Sequence, residues 1–88
     1  MISQETLVLI AGTISAAGVD ESVIAALRND YPQLHFTYCS EDDIPNNDPV
    51  LEQELFNLYL VDGRAHCLCL TRDFDNATGV VVAEIYQD

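Results

Sequence analysis

The chain has 88 residues, enough for one modest core but not for a core plus a deep catalytic cleft. Fifteen acidic residues against three basic ones give a net charge of −12, and the basic residues are all arginine (Arg28, Arg64 and Arg72). Without lysine there is no side-chain Schiff base and no phosphate-loop lysine, and three scattered arginines do not build the basic face that nucleic acid or an anionic membrane requires.

In chain order, Ser3 is placed to cap a helix with Glu5 and Thr6 in its first turn. Leu7, Ile10, Ile14 and Ala17 recur at helical spacing, while Val8, Leu9 and Ala11 widen the apolar surface. A helix this apolar is deeply packed or shared with another subunit. Gly12 and Ala16, four residues apart, permit close approach of a neighbouring helix, and packing within the monomer is the expected use. The run from Leu7 to Val19 lacks the positive lead of a signal peptide and is too short to span a bilayer, so a cytoplasmic protein is expected.

Gly18 ends this helix, and Asp20 caps the next. Val23, Ile24, Leu27 and Tyr31 form its inner stripe, and Pro32 stops it. The alternation of Leu34, Phe36 and Tyr38 with His35, Thr37 and Cys39 predicts a half-buried strand. Ser40–Pro49 reads as a loop, and Glu41 to Glu54 holds six carboxylates with no basic residue.

"ELFNLYLV" predicts a strand, Asp62-Gly63 a two-residue hairpin turn, "RAHCLCLT" its return strand, and "VVVAEIY" a last strand beyond a second turn. The expected architecture is a single α+β domain over residues 1–88. Two N-terminal helices pack on one face of a four-stranded, mainly antiparallel sheet, in the order α-α-β-β-β-β, with the first strand at an edge.

"NLYLVDGRAHCLCLTRDFDNATGVVVAEI" together with "HFTYCSEDDI" resembles a family of small uncharacterised proteobacterial proteins, a domain of unknown function. The resemblance covers nearly the whole chain and implies a helix-plus-sheet fold. It implies no activity and supplies no catalytic residues.

The segment with the strongest chemical appearance is "AHCLCL", Ala65 to Leu70. In a strand, His66 leaves on one face and Cys67 and Cys69 on the other, roughly 6–7 Å apart. A tetrahedral metal with bonds of about 2.3 Å does not bridge that span without distortion. His35 and Cys39 share a face but stand about 13 Å apart. The three cysteines are odd in number and lack a C-x-x-C pair, which argues against a secreted disulfide framework and for packed thiols. Asp42, Asp43 and Asp48 offer oxygen ligands without calcium-loop spacing, and "DFDNATG" has Thr78 where such a loop needs glycine. No cofactor and no metal is expected.

The other face of the sheet is more informative. If Leu34, Phe36, Tyr38, Phe56, Leu58, Leu60, Leu68, Leu70, Val81, Ala83 and Ile85 face the helices, the opposite face carries His35, Thr37, Cys39, Leu55, Asn57, Tyr59, Val61, Cys67, Cys69, Val82, Glu84 and Tyr86. That face is too apolar for plain solvation; it suits an interface, a shallow ligand platform, or a covering by the protein's own loops or tails. The leading expectation is a non-enzymatic binding or accessory protein, self-associating or bound to another protein. Its partner-binding candidates are His35, Cys39, Tyr59, Cys67, Cys69 and Tyr86, with Asp42 and Asp43 suited to a basic partner. The alternative is a metal- or redox-linked carrier using Cys67 and Cys69. An enzyme has the least behind it, since no nucleophile and base fall together.

Overall fold

Ser3 caps the first helix as its position predicts: its Oγ accepts from the Thr6 N–H at 3.0 Å and donates to Thr6 Oγ1 at 2.7 Å. The structure, a computed structural model, describes residues 2–43, 49–63 and 69–85. They form α1 (Gln4–Ala17), α2 (Glu21–Asp30), β1 (His35–Ser40), a 3₁₀ turn (Glu41–Asp43), β2 (Leu51–Glu52), β3 (Phe56–Asp62), β4 (Cys69–Thr71) and β5 (Gly79–Glu84).

Gly18 ends α1 with φ +98°, a conformation that disfavours side chains, and its N–H donates to the Ile14 carbonyl at 2.7 Å. Asp20 precedes α2, but its side chain does not cap the helix; it accepts instead from Ser22 Oγ at 2.7 Å. Both helices pack through one stripe. Leu7, Ile10, Ala11 and Ile14 of α1 are buried, as are Ile24 and Leu27 of α2. They meet Phe36, Phe56, Leu58, Leu60, Val80 and Val82 in one core. Each such side chain, when fully buried, contributes roughly 1.5–3 kcal/mol through area removed from water.

The class is α+β as expected, but the sheet is mixed and has five strands rather than four. Its order is β1-β5-β3-β2, with β4 also paired to β3. β1 runs parallel to β5, whereas β3 is antiparallel to β5, β2 and β4. β5 spans one side of β3 from Phe56 to Val61, so β2 and β4 share its other side end to end. β2 lies in a region that composition alone did not mark as a strand. It has only two residues, held at its ends by Val50 N–H to the Leu58 carbonyl and Gln53 N–H to the Phe56 carbonyl, both at 2.9 Å.

Three further expectations need correction. A two-residue turn at Asp62-Gly63 would pair Val61 with Arg64, but Val61 pairs with Leu70 and Asp62 with Cys69. β3 therefore runs on through Asp62, with Cys69 as its partner there. The phase of β5 is also opposite to that expected. Val80 and Val82 face the helices, and Val81 and Ala83 lie on the other face with Tyr59 and Val61. Glu84 pairs with Phe56 and Ser40 on the helix side, where it accepts from Tyr38 Oη at 2.6 Å. Leu70, expected toward the helices, is opposite Val61 and exposed.

Three backbone ties close the fold. Ile2 N–H donates to the Phe74 carbonyl at 3.0 Å, anchoring the start of α1. Thr78 joins the ends of β3 and β5: its N–H donates to the Val61 carbonyl at 2.8 Å, and its Oγ1 accepts from Gly63 N–H at 2.9 Å. On the outer edge of β1, Arg28 Nη2 donates to the Phe36 carbonyl at 3.1 Å, which covers a polar group that an edge strand leaves open.

Candidate functional site

The face away from the helices is built by register. Thr37 and Tyr59 flank Val81, Cys39 and Asn57 flank Ala83, and His35 and Val61 flank Gly79. Its centre is closed rather than open. Tyr59 is 2% exposed and Ala83 0%, with Val61 and Val81 also buried and Cys39 half-buried against them. The Tyr59 hydroxyl donates to Glu41 Oε1 at 2.6 Å. Glu41 follows β1 directly, so the 3₁₀ turn folds its carboxylate back over the sheet. Its Oε2 is buried and makes no hydrogen bond.

Burial pushes the Tyr59 phenol up to about 12, and the hydrogen bond to Glu41 and that residue's charge act the same way, against a weaker opposing hydrogen bond with Asn57. The phenol therefore stays protonated and acts as a donor. Tyr59 holds the acidic turn onto the sheet; it does not offer a surface.

The other predicted residues are scattered. His35 is exposed above Gly79 and lines a cavity of about 480 Å³ with Arg28, Pro32, Phe36, Thr37 and Gly63. Arg28 is engaged there by Glu21 and the Phe36 carbonyl. Asp42 is exposed in the 3₁₀ turn, its N–H donating to Ser40 Oγ at 3.2 Å. Asp43 ends that turn, and Cys69 begins β4 opposite Asp62 in backbone register; the side chains of both fall outside the described residues. Cys67 and Tyr86 lie outside them altogether, as do Arg64, His66 and Leu68. Among the described residues no group of three or more His, Cys, Asp or Glu could hold a metal ion. Asp73 uses both carboxylate oxygens in its own turn, accepting from Asp75 N–H at 3.0 Å and from Asn76 Nδ2 at 2.5 Å.

The open apolar surface lies elsewhere. Val8 is 54% exposed, Leu9 59% and Leu55 49%. A Cβ on Gly12 would meet nothing within 4 Å and Ala16 is exposed, so among the described residues neither serves packing against a neighbouring element, contrary to expectation. Helical spacing places Val8, Gly12 and Ser15 down one flank of α1. That flank ends at a groove of about 300 Å³ between Ser15, Gly18 and Val19 on one side and Gln53, Glu54 and Leu55 on the other. Leu55, expected on the far face of the sheet, thus lines the groove at the end of α1. The signal for this surface was the surplus of apolar residues in α1, more than one buried stripe can use.

The sequence from residue 7 to residue 85 matches the model of a family of unknown function, DUF6129. The chain belongs to the DUF6129 family. No curated protein and no solved structure matches this DUF6129 member. The match runs from the first buried residue of α1 to the residue after β5, so it takes in the helical layer, the sheet and the groove between α1 and Leu55. Among the described residues, no helix of this DUF6129 chain is long and apolar enough to cross a membrane.

Proposed function

We propose that this DUF6129 member is a small, acidic, cytoplasmic accessory protein of a proteobacterium, one that binds another protein without catalysing a reaction. The contact surface in this reading is the outer flank of α1, not the centre of the sheet, where Tyr59 is buried. One observation carries the reading. Val8 and Leu9 are more than half exposed on a helix that holds no ionisable side chain between Glu5 and Asp20, in a chain of net charge −12. Charge keeps the rest of the surface hydrated, whereas adjacent large apolar side chains left in water mark a contact surface.

A photo-crosslinking residue placed at Leu9 in cells tests this, with Ala26, exposed on α2, as the comparison position. The reading predicts a discrete protein adduct from position 9 and none from position 26. No adduct from position 9, or the same adducts from both positions, contradicts it.

A further inference from the structure

We infer that the groove between α1 and the β2–β3 turn takes the apolar side of a basic, amphipathic helical segment of a partner protein, an inference that rests on the binding reading above. The first support is shape. The strip of Val8, Gly12 and Ser15 leads into the groove beside Gly18 and Leu55. From Val8 to Gly18 the helix rises about 15 Å, or nearly three turns. A partner helix lying along that strip presents apolar anchors at i, i+3 or i+4, and i+7. The groove, about 300 Å³, lies at the small end of the range for ligand pockets and has room for an anchor side chain or two. The open space at Gly12 lets a second helix approach there without a Cβ in the way.

The second support is charge. The strip itself carries no ionisable group, but its two ends do: Glu5 stands in the first turn of α1, and Glu54 lines the groove, with exposed Glu52 close by in the chain. The cations among the described residues are Arg28 and Arg72, and Arg28 is held by Glu21 and the Phe36 carbonyl. A segment with an apolar centre and lysines or arginines around it meets carboxylates at both ends. A second copy of this chain brings another net charge of −12 to the same rim. Complementarity therefore selects a basic partner over self-association.

The test uses the full chain and a fluorescently labelled designed peptide, an amphipathic helix of leucine and lysine, followed by anisotropy. A leucine and glutamate peptide of the same pattern is the comparison. Val8→Ser combined with Leu55→Ser alters the groove at unchanged charge; both residues are exposed, and thermal melts check that the variant folds. Glu21→Gln combined with Asp75→Asn lowers the negative charge away from the groove. The expected result is binding of the lysine peptide alone, weakened by about tenfold or more in the groove variant, the loss typical of central apolar contacts. The charge variant is expected to weaken it by about twofold or less. Equal weakening by both variants, or equal binding of both peptides, overturns the inference. So does sedimentation showing a wild-type dimer that the groove variant dissociates, which identifies a second copy as the occupant. If position 9 cross-links in cells while the lysine peptide ignores the groove, the binding reading stands and the basic occupant is wrong.

Discussion

The Tyr59 hydroxyl and Glu41 Oε1 are joined by a hydrogen bond of 2.6 Å across the face of the sheet that no helix covers. The bond links the central strand to the first residues of an acidic run, and it replaces an exposed tyrosine platform with a closed strip. It also leaves Glu41 Oε2 buried and unbonded, so among the described residues the carboxylate has this one side-chain donor.

Tyr59→Phe keeps the ring and removes that donor. It is expected to destabilise the chain by about 1–3 kcal/mol, the cost of leaving a desolvated polar group unpaired. Urea unfolding near neutral pH measures the loss; a change within experimental error contradicts a structural role for the bond.

The same pair makes a pH prediction. The phenol has an ordinary value of 10.0 and is pushed up to about 12 in the folded chain. Between these values the unfolded chain has lost the proton and the folded chain still holds it, so stability present below pH 10 falls as the pH rises toward 12. The advantage of the wild type over Tyr59→Phe shrinks across that window, by at most about 3 kcal/mol. A constant difference from pH 9 to pH 12 contradicts this.

Adding one methyl group has opposite effects at two glycines. A Cβ on Gly79 would lie 2.6 Å from the His35 carbonyl oxygen and 3.1 Å from Val61 Cγ2, so β1 and β5 must part to admit it. Gly79→Ala is expected to cost about 1–3 kcal/mol or more. Gly12 sits in a helix interior with open space around it, and Gly12→Ala is expected to stabilise by about 0.5–1 kcal/mol. Thermal melts of the two variants check the signs.

Thr78→Val removes the acceptor for Gly63 N–H while preserving side-chain shape. The expected cost is about 1 kcal/mol. Hydrogen exchange at the Gly63 amide should accelerate more than exchange at Leu58, which lies in the middle of β3; uniform acceleration contradicts a local tie.

Arg28 touches both a carboxylate and a carbonyl, and the carbonyl matters more for stability. The ion pair with Glu21 at 3.1 Å is exposed on both sides, so Glu21→Gln is expected to cost about 0.5 kcal/mol or less. Arg28→Ala also uncovers the Phe36 carbonyl on the outer edge of β1 and is expected to cost about 1–2 kcal/mol. Equal losses contradict this ranking.

Much of the fold was legible in short-range pattern. Helical spacing located α1 and α2, and alternation gave the correct inner residues of β1 and β3, from Phe36 through Leu60. β5 was not phased correctly because Val80, Val81 and Val82 are all buried. A strand covered on both faces reads as a continuous apolar run, in which a period of two has no visible phase. Its position between β1 and β3 depends on long-range pairing that no local signal reports.

The face of β4 was within reach: a two-residue turn at Asp62-Gly63 itself pairs Leu70 with Leu55, which strand alternation assigns to the face away from the helices. Tyr59 was assigned the right face, but the partner of its hydroxyl is Glu41, eighteen positions earlier in the chain. The apolar flank of α1 was visible as excess hydrophobicity. The open space at Gly12 shows that the described residues leave it without a neighbour there.

The most direct test of the central claim, that this protein binds through the flank of α1 and Leu55, is an amide chemical-shift map recorded as the leucine and lysine peptide is added to the ¹⁵N-labelled chain. Saturable shifts confined to Val8 through Val19 and Gln53 through Phe56 are expected. Shifts centred on His35, Thr37 and Cys39, or none at saturating peptide, would contradict the claim.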